Sequence, residues 1–274
     1  MSFLPTSSYS SSLDEERGEL TSPEPGTPLI SFRGVSKAFG DKVVLKGVDL
    51  DVFPGETLAV IGRSGSGKTV LTSMLVGLNV PDQGSIWFAG LEVTQLKTNA
   101  DWRDLRLKIG YLFQESALYD SMTVGENVAF PMMQHTLWSG AEIVRRVAEK
   151  LDLVGLGGTE TMEPAELSGG MQRRVALARS LALDPEIMIY DEPTAGLDPI
   201  TGDEIGHLVV RLQQALKVTS IVVTHDLLLA QLVADRMALL FGAQLAFHGT
   251  CDKFLQSSHP EVLRFLHREL PTRS

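Results

Sequence analysis

The sequence lacks any run of apolar residues long enough to cross a lipid bilayer as a helix, which takes about 20 residues. Its richest apolar stretch, residues 237–247, is interrupted by Gly242 and Gln244 and predicts a buried hairpin. If the protein works at a membrane, we therefore expect another chain to span that membrane.

Cysteine and basic charge are also scarce. The single cysteine, Cys251, cannot form an intramolecular disulfide, which fits a reducing cytosol. The chain has 24 Lys and Arg against 34 Asp and Glu, a net charge of -10. A nucleic-acid binder needs a basic surface, so this balance argues against a nucleic-acid partner. An acidic protein instead suits the cytoplasmic loops of membrane proteins, which carry excess Lys and Arg.

Residues 1–28 are rich in Ser, Thr and Pro and carry an acidic patch. Such a segment cannot bury enough apolar area to offset its ordering entropy, so it predicts a disordered N-terminal extension. It lacks the basic start and apolar core of a signal peptide, and its acidity argues against an organelle transit peptide.

Residues 29–250 have the pattern of one α/β domain. Residues 29–32 and 43–52 alternate apolar and polar side chains, as half-buried antiparallel strands do. Residues 57–61 form an apolar run that is followed by a Gly-rich turn and a helical pattern over 68–78. Residues 187–190 and 220–224 are also continuous apolar or β-branched runs, which suit a parallel sheet buried on both faces.

A helical subdomain is predicted between these sheet segments, at about residues 116–182. Ser139 and Glu142 have the spacing of a capping box, and apolar residues follow at helical spacing. Another helix is expected to begin near Ser168. The predicted architecture is an α/β core with a small antiparallel layer and an inserted helical subdomain.

Residues 62–69 fit the phosphate-binding pattern G-x-x-x-x-G-K-[ST]. The glycines let backbone N–H groups turn inward around phosphate oxygens, and the following helix presents its positive N-terminus. Lys68 is expected to reach the β- and γ-phosphates of ATP, and the Thr69 hydroxyl to ligate Mg²⁺. The predicted nucleotide-binding residues of this loop are Gly62, Arg63, Ser64, Gly65, Ser66, Gly67, Lys68 and Thr69.

The apolar run at residues 187–190 is followed by two carboxylates, Asp191 and Glu192. A buried strand delivers its terminal acid to the mouth of the sheet, where Asp191 can hold Mg²⁺ through water. Glu192 is placed to polarise the attacking water, a contribution of about 10²–10⁴ in rate for general-base catalysis.

Residues 167–172, Leu-Ser-Gly-Gly-Met-Gln, predict a second phosphate cradle at the start of a helix. This segment resembles the signature motif of ATP-binding-cassette (ABC) ATPases. The resemblance implies a P-loop NTPase (RecA-like) core with an antiparallel β subdomain and an inserted α-helical subdomain. It also implies a head-to-tail sandwich dimer, in which this cradle contacts the γ-phosphate held by the other protomer. The nucleotide-contacting residues implied here are Ser168, Gly169, Gly170 and Gln172.

Four further residues match the same family pattern in order. Phe39 resembles the aromatic residue that stacks on adenine. Gln114 resembles the hinge glutamine that touches Mg²⁺ and water, and Asp198 lies in a segment similar to the loop that crosses to the partner protomer. His225 resembles the switch histidine that contacts the γ-phosphate. The resemblance implies Glu192, His225 and Gln114 as catalytic residues and Thr69, Gln114 and Asp191 as metal-contacting residues.

The sequence of residues 114–131 is similar to that of MlaF-type ATPases of MCE phospholipid transport systems. The resemblance implies an ATPase homodimer with an integral membrane permease (MlaE-like) and an MCE-domain lipid-binding protein, and a small cytoplasmic accessory subunit is a further candidate. It also implies a cytoplasmic location, peripheral on the inner face of the plasma membrane. Two alternatives remain open. One is another ABC importer or exporter, for amino acids or macrolide-like compounds. The other is a soluble scaffold-type ABC ATPase, as in iron–sulfur cluster assembly.

Residues 251–274 predict a C-terminal helical tail. Leu255, His259, Leu263 and Leu266 approximate one helical face. This face is expected to pack either on its own domain or on the partner ATPase subunit.

Overall fold

The computed structural model describes residues 26–269 of the chain. The predicted extension at residues 1–28 lies outside this part, apart from its last three residues. Among residues 26–269, no helix is both long enough and apolar enough to span a bilayer.

The described residues form ten strands and nine α-helices. The strands are β1 (Ile30–Phe39), β2 (Lys42–Val52), β3 (Thr57–Ile61), β4 (Gln83–Phe88), β5 (Leu91–Glu92), β6 (Ile109–Leu112), β7 (Ile187–Asp191), β8 (Thr219–Thr224), β9 (Arg236–Phe241) and β10 (Gln244–Thr250). The helices are α1 (Lys68–Ser73), α2 (Asn99–Arg106), α3 (Val124–His135), α4 (Gly140–Leu153), α5 (Gly169–Ser180), α6 (Pro199–Leu216), α7 (Leu227–Val233), α8 (Cys251–Leu255) and α9 (Pro260–Glu269).

The strands form two sheets. The first is four-stranded and antiparallel, in the order β2-β1-β4-β5. The second has the order β10-β9-β3-β8-β7-β6, with every neighbouring pair parallel except β10 and β9. The strands predicted at residues 29–32, 43–52, 57–61, 187–190 and 220–224 are confirmed, and the hairpin over residues 237–247 is β9 and β10.

The parallel strands are buried on both faces. Every residue of β3, β7 and β8 is buried, which explains their continuous apolar sequences. One face packs with α1 and the antiparallel sheet, and the other packs with α3 to α6. In the sheet register Ile61 lies opposite Thr224, and Asp191 lies opposite Val223. The carboxyl ends of β3, β7 and β8 therefore meet at one edge.

The helix predicted over residues 68–78 is shorter than expected, because α1 ends at Ser73 and turns follow it. Gly77 has φ +68°, and a Cβ on it would lie 2.6 Å from the Trp102 ring. The turn at Gly77, four residues after the end of α1, therefore packs against the side chain of Trp102. This contact is 25 residues away in sequence and has no local sequence signal.

The capping box predicted at Ser139 is only half formed. The Ser139 hydroxyl accepts a hydrogen bond from the N–H of Glu142 and caps α4. The Glu142 carboxylate does not bond back to Ser139. It instead accepts from Arg145 at 2.6 Å and Arg146 at 2.7 Å, because two cations on its own helix attract it more strongly than a neutral amide does.

The C-terminal tail forms two helices, α8 and α9, rather than one continuous face. Phe254, Val262 and Phe265 are buried against the domain in a cluster that includes β3 and β9. Leu255 and Leu263 lie on different helices and are 41% and 39% exposed, so the predicted residues do not form one face packed on this domain. The helix is interrupted between α8 and α9, and α9 begins at a proline. The side chains of α9 therefore do not continue the helical face of α8. Packing of the tail on its own domain is confirmed.

Candidate functional site

The loop between β3 and α1 has a backbone path that requires glycine at two positions. Gly62 has φ +153°, and a Cβ there would lie 2.5 Å from the Leu240 carbonyl oxygen. Gly67 has φ +102°, and its Cβ would lie 2.8 Å from the Val44 carbonyl oxygen. The loop therefore curls tightly against β9 and β2, a geometry that turns backbone N–H groups toward an anion.

The ammonium of Lys68 lies within this curl and is only 5% exposed. Its Nζ donates to the carbonyl oxygens of Gly62 at 2.9 Å and Arg63 at 3.3 Å. The same Nζ lies 3.2 Å from Oε1 of Glu192. The Lys68 ammonium thus links the phosphate-binding loop of residues 62–69 (the P-loop) to the end of β7, and it has polar contacts on both sides.

The buried hydroxyl of Ser66 supports a phosphate ligand at this loop. Its Oγ has no hydrogen-bond partner, although buried hydroxyls are normally paired. A phosphate oxygen at the helix N-terminus would accept this hydrogen bond along with those of the loop N–H groups. The residues present therefore fit a nucleotide phosphate.

Asp191 and Thr69 form the part of the site that fits Mg²⁺. The Thr69 hydroxyl donates to Oδ1 of Asp191 at 2.9 Å, and the Tyr111 hydroxyl donates to Oδ2 at 3.3 Å. Burial raises the pKa of Asp191 and neighbouring Glu192 adds to the rise, while hydrogen bonds from Thr69 and Tyr111 oppose it. One hydroxyl and one carboxylate are a small oxygen set, as suits an ion that takes its other ligands from water and phosphate.

Glu192 is held between two basic side chains. Its Oε2 lies 2.9 Å from Nδ1 of His225, on the side opposite Lys68. Its backbone adopts φ +49°, the left-handed region that is costly for any residue with a side chain, and its N–H donates to the Val223 carbonyl at 2.8 Å. The strain and the two partners fix one carboxylate at the edge where β7 and β8 end.

The signature residues do not contact the P-loop in the described part of the chain. Ser168 caps α5 by accepting from the Met171 N–H at 3.3 Å, and the Gln172 side chain donates to the Pro164 carbonyl at 2.9 Å. A Cβ on Gly169 would lie 3.6 Å from the Leu197 side chain, and one on Gly170 would lie 2.4 Å from that of Thr201. The second cradle therefore lies beside the start of α6, with no contact to the first.

Three further predicted residues lie at the margins of this arrangement. Phe39 is 48% exposed at the end of β1, with Lys37 Nζ 5.3 Å from its ring centre. Gln114 is exposed just after β6. Asp198 caps α6, and the hydrogen bonds it accepts from Thr201 and Ile200 hold its pKa below the usual range.

Sequence reasoning missed two residues that organise the site. Tyr111 bonds Asp191 and lies 3.1 Å from the Thr72 hydroxyl, and burial raises its pKa. Arg173 is 4% exposed and donates to the carbonyl oxygens of Phe113 and Ala195. A signal for Arg173 existed, because it lies on the buried face of α5 between Gly170 and Leu177, where a cation needs acceptors.

A groove of about 700 Å³ lies at β6, which is an edge strand of the six-stranded sheet. Aromatic side chains of Tyr111, Phe113, Tyr119 and Phe130 line it, together with several basic residues. Those basic residues are Arg103, Arg106, His135 and Arg179. Part of the segment that resembles MlaF-type ATPases, residues 114–131, therefore forms one wall of an aromatic, basic groove.

Residues 45–195 match the protein family described as ABC transporter. The chain is 39% identical over 237 residues to the probable ribonucleotide transport ATP-binding protein mkl of Mycobacterium leprae, covering 86% of this chain and 68% of that protein. It thus spans about two thirds of the length of this mycobacterial relative. It is 39% identical over 241 residues to the intermembrane phospholipid transport system ATP-binding protein MlaF of Haemophilus influenzae, covering 88% of this chain and 91% of that protein.

A solved structure with the same fold is the ATP-binding cassette MJ0796, described as a dimeric post-hydrolysis state bound to ADP and Pi. It superposes with a TM-score of 0.73 at 32% identity, covering 81% of this chain and 98% of that chain. The predicted fold class, a P-loop core with an antiparallel layer and helical insertion, is confirmed.

Proposed function

This chain belongs to the ABC transporter family and is an ATPase, and we propose that it energises phospholipid transport by an MCE-type complex. The observation that carries this proposal is the 39% identity to a phospholipid-transport ATPase along 91% of that protein's length. The likeness thus extends well beyond the phosphate-binding loop and includes residues 114–131.

We assign the hydrolytic roles to the residues at the edge of the six-stranded sheet. Lys68 and the loop N–H groups hold the phosphates, and Thr69 and Asp191 hold Mg²⁺, which when bound neutralises charge on the phosphate oxygens. Glu192 accepts a proton from water as the water oxygen bonds to the γ-phosphorus and the bond to the ADP oxygen breaks. His225, 2.9 Å from Glu192, keeps that carboxylate oriented.

Hydrolysis in this proposal requires a homodimer. A single protomer carries two phosphate cradles, at residues 62–69 and at Ser168–Gly170, and no contact joins them within the described residues. A head-to-tail pair would bring the signature cradle of one protomer to the P-loop of the other. The likeness to a cassette described as a dimer bound to ADP and Pi supports this arrangement.

The aromatic, basic groove is the proposed contact with an integral membrane permease. Its exposed rings, Phe113 and Tyr119, suit burial against an amphipathic helix, and its arginines suit acidic or C-terminal carbonyl groups on such a helix. We place the ATPase peripherally on the inner face of the plasma membrane through this contact. An MCE-domain lipid-binding protein across the membrane and a small accessory subunit in the cytoplasm complete the proposed assembly.

The other relative's name gives ribonucleotide transport as a second cargo to be tested. The tagged full-length chain would be purified from its native cells in mild detergent, and copurifying proteins and lipids identified by mass spectrometry. The complex would then be reconstituted into vesicles, with Glu192→Gln as the matched inactive control. ATP-dependent movement of labelled phospholipid, absent with Glu192→Gln, supports the proposal. ATP-dependent movement of ribonucleotide alone, or recovery of a soluble scaffold without a permease, overturns it.

A further inference from the structure

One buried arginine joins two loops of the candidate site. Nη1 of Arg173 donates to the Phe113 carbonyl at 2.8 Å, and Nη2 donates to the Ala195 carbonyl at 3.2 Å. Phe113 directly precedes Gln114, and Ala195 lies between Glu192 and Asp198 in sequence. One planar guanidinium thus spans the segment that leaves β6 and the segment that leaves β7.

Burying the charged side chain of Arg173 lowers the stability of the fold, and packing contacts alone would not offset that loss. Arg173 is 4% exposed, and no carboxylate lies within ion-pairing distance of it in residues 26–269. Its Nε is buried without a hydrogen-bond partner. A buried unpaired cation is destabilising unless its hydrogen bonds compensate. The two hydrogen bonds to carbonyl oxygens provide that compensation.

Open space lies beside this bridge. A cavity of about 450 Å³ is lined by Gln114 and Ser116 from the first segment, by Ala195 and Gly196 from the second, and by Arg173 itself. The two segments are therefore not packed tightly against each other along their length. The hydrogen bonds of Arg173 join the two segments beside this open space.

The same helix reaches the permease-facing groove. Arg179, at the other end of α5, donates to the carbonyls of Ala117 at 2.8 Å and Ser116 at 3.1 Å. These carbonyls follow Gln114 in the chain. A displacement of the groove segment would therefore be shared with α5, and through Arg173 with the segment that carries Glu192.

We propose that Arg173 is a positioning residue for ATP hydrolysis, which holds the segment of Gln114 and the segment of Glu192 to Asp198 in one fixed relation. Through it, both segments move together when α5 moves. A rigid link is needed because a misplacement of about 1 Å in a catalytic group costs on the order of 100-fold in rate. The inference rests on the ATPase activity and not on the cargo, so lipid transport can fail while the inference stands.

The neighbouring Arg174 provides a matched control. It is on the same helix and also makes two hydrogen bonds, to the Val154 carbonyl at 3.1 Å and to Glu204 at 2.9 Å. Neither partner belongs to the two bridged segments. Arg174→Gln therefore removes a comparable number of hydrogen bonds from α5 without releasing either segment.

The test compares Arg173→Gln and Arg174→Gln in the full-length chain, by steady-state ATPase kinetics and by hydrogen–deuterium exchange. For Arg173→Gln we expect kcat to fall at least about tenfold with KM for ATP within about twofold, because the P-loop is untouched. Exchange should rise together in residues 113–118 and 193–198. Arg174→Gln should leave exchange in both segments at the wild-type level.

Two results overturn the inference: a kcat for Arg173→Gln equal to that of Arg174→Gln, or a rise in exchange in one segment or neither. If Arg173→Gln does not fold, the same measurements are made on Arg173→Lys. Lysine keeps the charge but lacks the fork that reaches two carbonyls at once. For Arg173→Lys the kinetic loss and the paired rise in exchange are again expected, and the absence of either overturns the inference.

Discussion

Lys68 and Glu192 form an ion pair in which neither side chain is more than about a tenth exposed, with Nζ 3.2 Å from Oε1. The pair connects the P-loop to the end of β7, two elements more than 120 residues apart in sequence. The residue proposed to hold phosphate and the residue proposed to activate water thus restrain each other. Changing Lys68 is expected to affect mainly ATP binding, and changing Glu192 is expected to affect mainly hydrolysis.

Replacing Lys68 with Ala should weaken ATP binding strongly, since the phosphates lose a cation held within the loop. The protein should also become less stable, because breaking a buried ion pair costs on the order of 3–5 kcal/mol, and the remaining His225 contact favours the low end. Titration with a fluorescent nucleotide and thermal denaturation measure the two effects. The exposed Lys97→Ala is the control, and undiminished ATP affinity in Lys68→Ala would contradict the P-loop assignment.

Replacing Glu192 with Gln should keep ATP binding while lowering hydrolysis by about 10²–10⁴, the usual contribution of a general base. With hydrolysis blocked, the ATP-bound protein should accumulate as a dimer. ATPase assays and size-exclusion chromatography with and without Mg·ATP provide the measurement. Turnover at the wild-type rate would show that another group accepts the proton.

Replacing Ser168 with Arg should abolish hydrolysis and spare ATP binding by the single protomer. The bulky cation would occupy the cradle that a partner's γ-phosphate is proposed to enter, while the P-loop lies elsewhere in the same chain. Mixing this variant with Glu192→Gln tests complementation across the dimer. Full-rate hydrolysis by monomeric Ser168→Arg would refute the sandwich arrangement.

Asp198 should make stability depend on pH at the acidic end. The hydrogen bonds from Thr201 and Ile200 lower its pKa in the folded protein, so the carboxylate stabilises the fold at pH above the unfolded pKa of about 3.9. That contribution is lost as the pH falls through the lowered folded value. Asp198→Ala should thus have a lower melting temperature than wild type at pH 7, with a gap that narrows toward pH 3.

Asp198→Asn is the control for this experiment, because asparagine also caps helices well but does not titrate in this range. Its melting temperature at pH 7 should lie above that of Asp198→Ala. If the gap between wild type and Asp198→Ala stays constant across the acid range, the cap does not depend on the charge of Asp198.

The central strands and the phosphate-binding loop can be predicted from the sequence because short, contiguous residue patterns specify both. β3 and β7 are continuous apolar runs, and glycine with lysine at fixed spacing specifies the loop between β3 and α1. What sequence reasoning missed depends on distant contacts. Trp102 packs against the turn that follows α1, and Tyr111 and Arg173 acquire roles only when β6, β7 and α5 come together. A single helical period does not describe the tail, because the chain breaks between α8 and α9.

The order of the strands has a consequence for how the protein is made. β8 lies between β3 and β7 in the sheet, yet it is the last of the three to leave the ribosome. At translation rates of about 5–20 residues per second, β3 waits on the order of ten seconds for its neighbour. During that interval the emerging chain presents unpaired apolar strand edges, which are prone to aggregate. Chaperone capture during synthesis is therefore expected to matter more for this protein than its final stability would suggest.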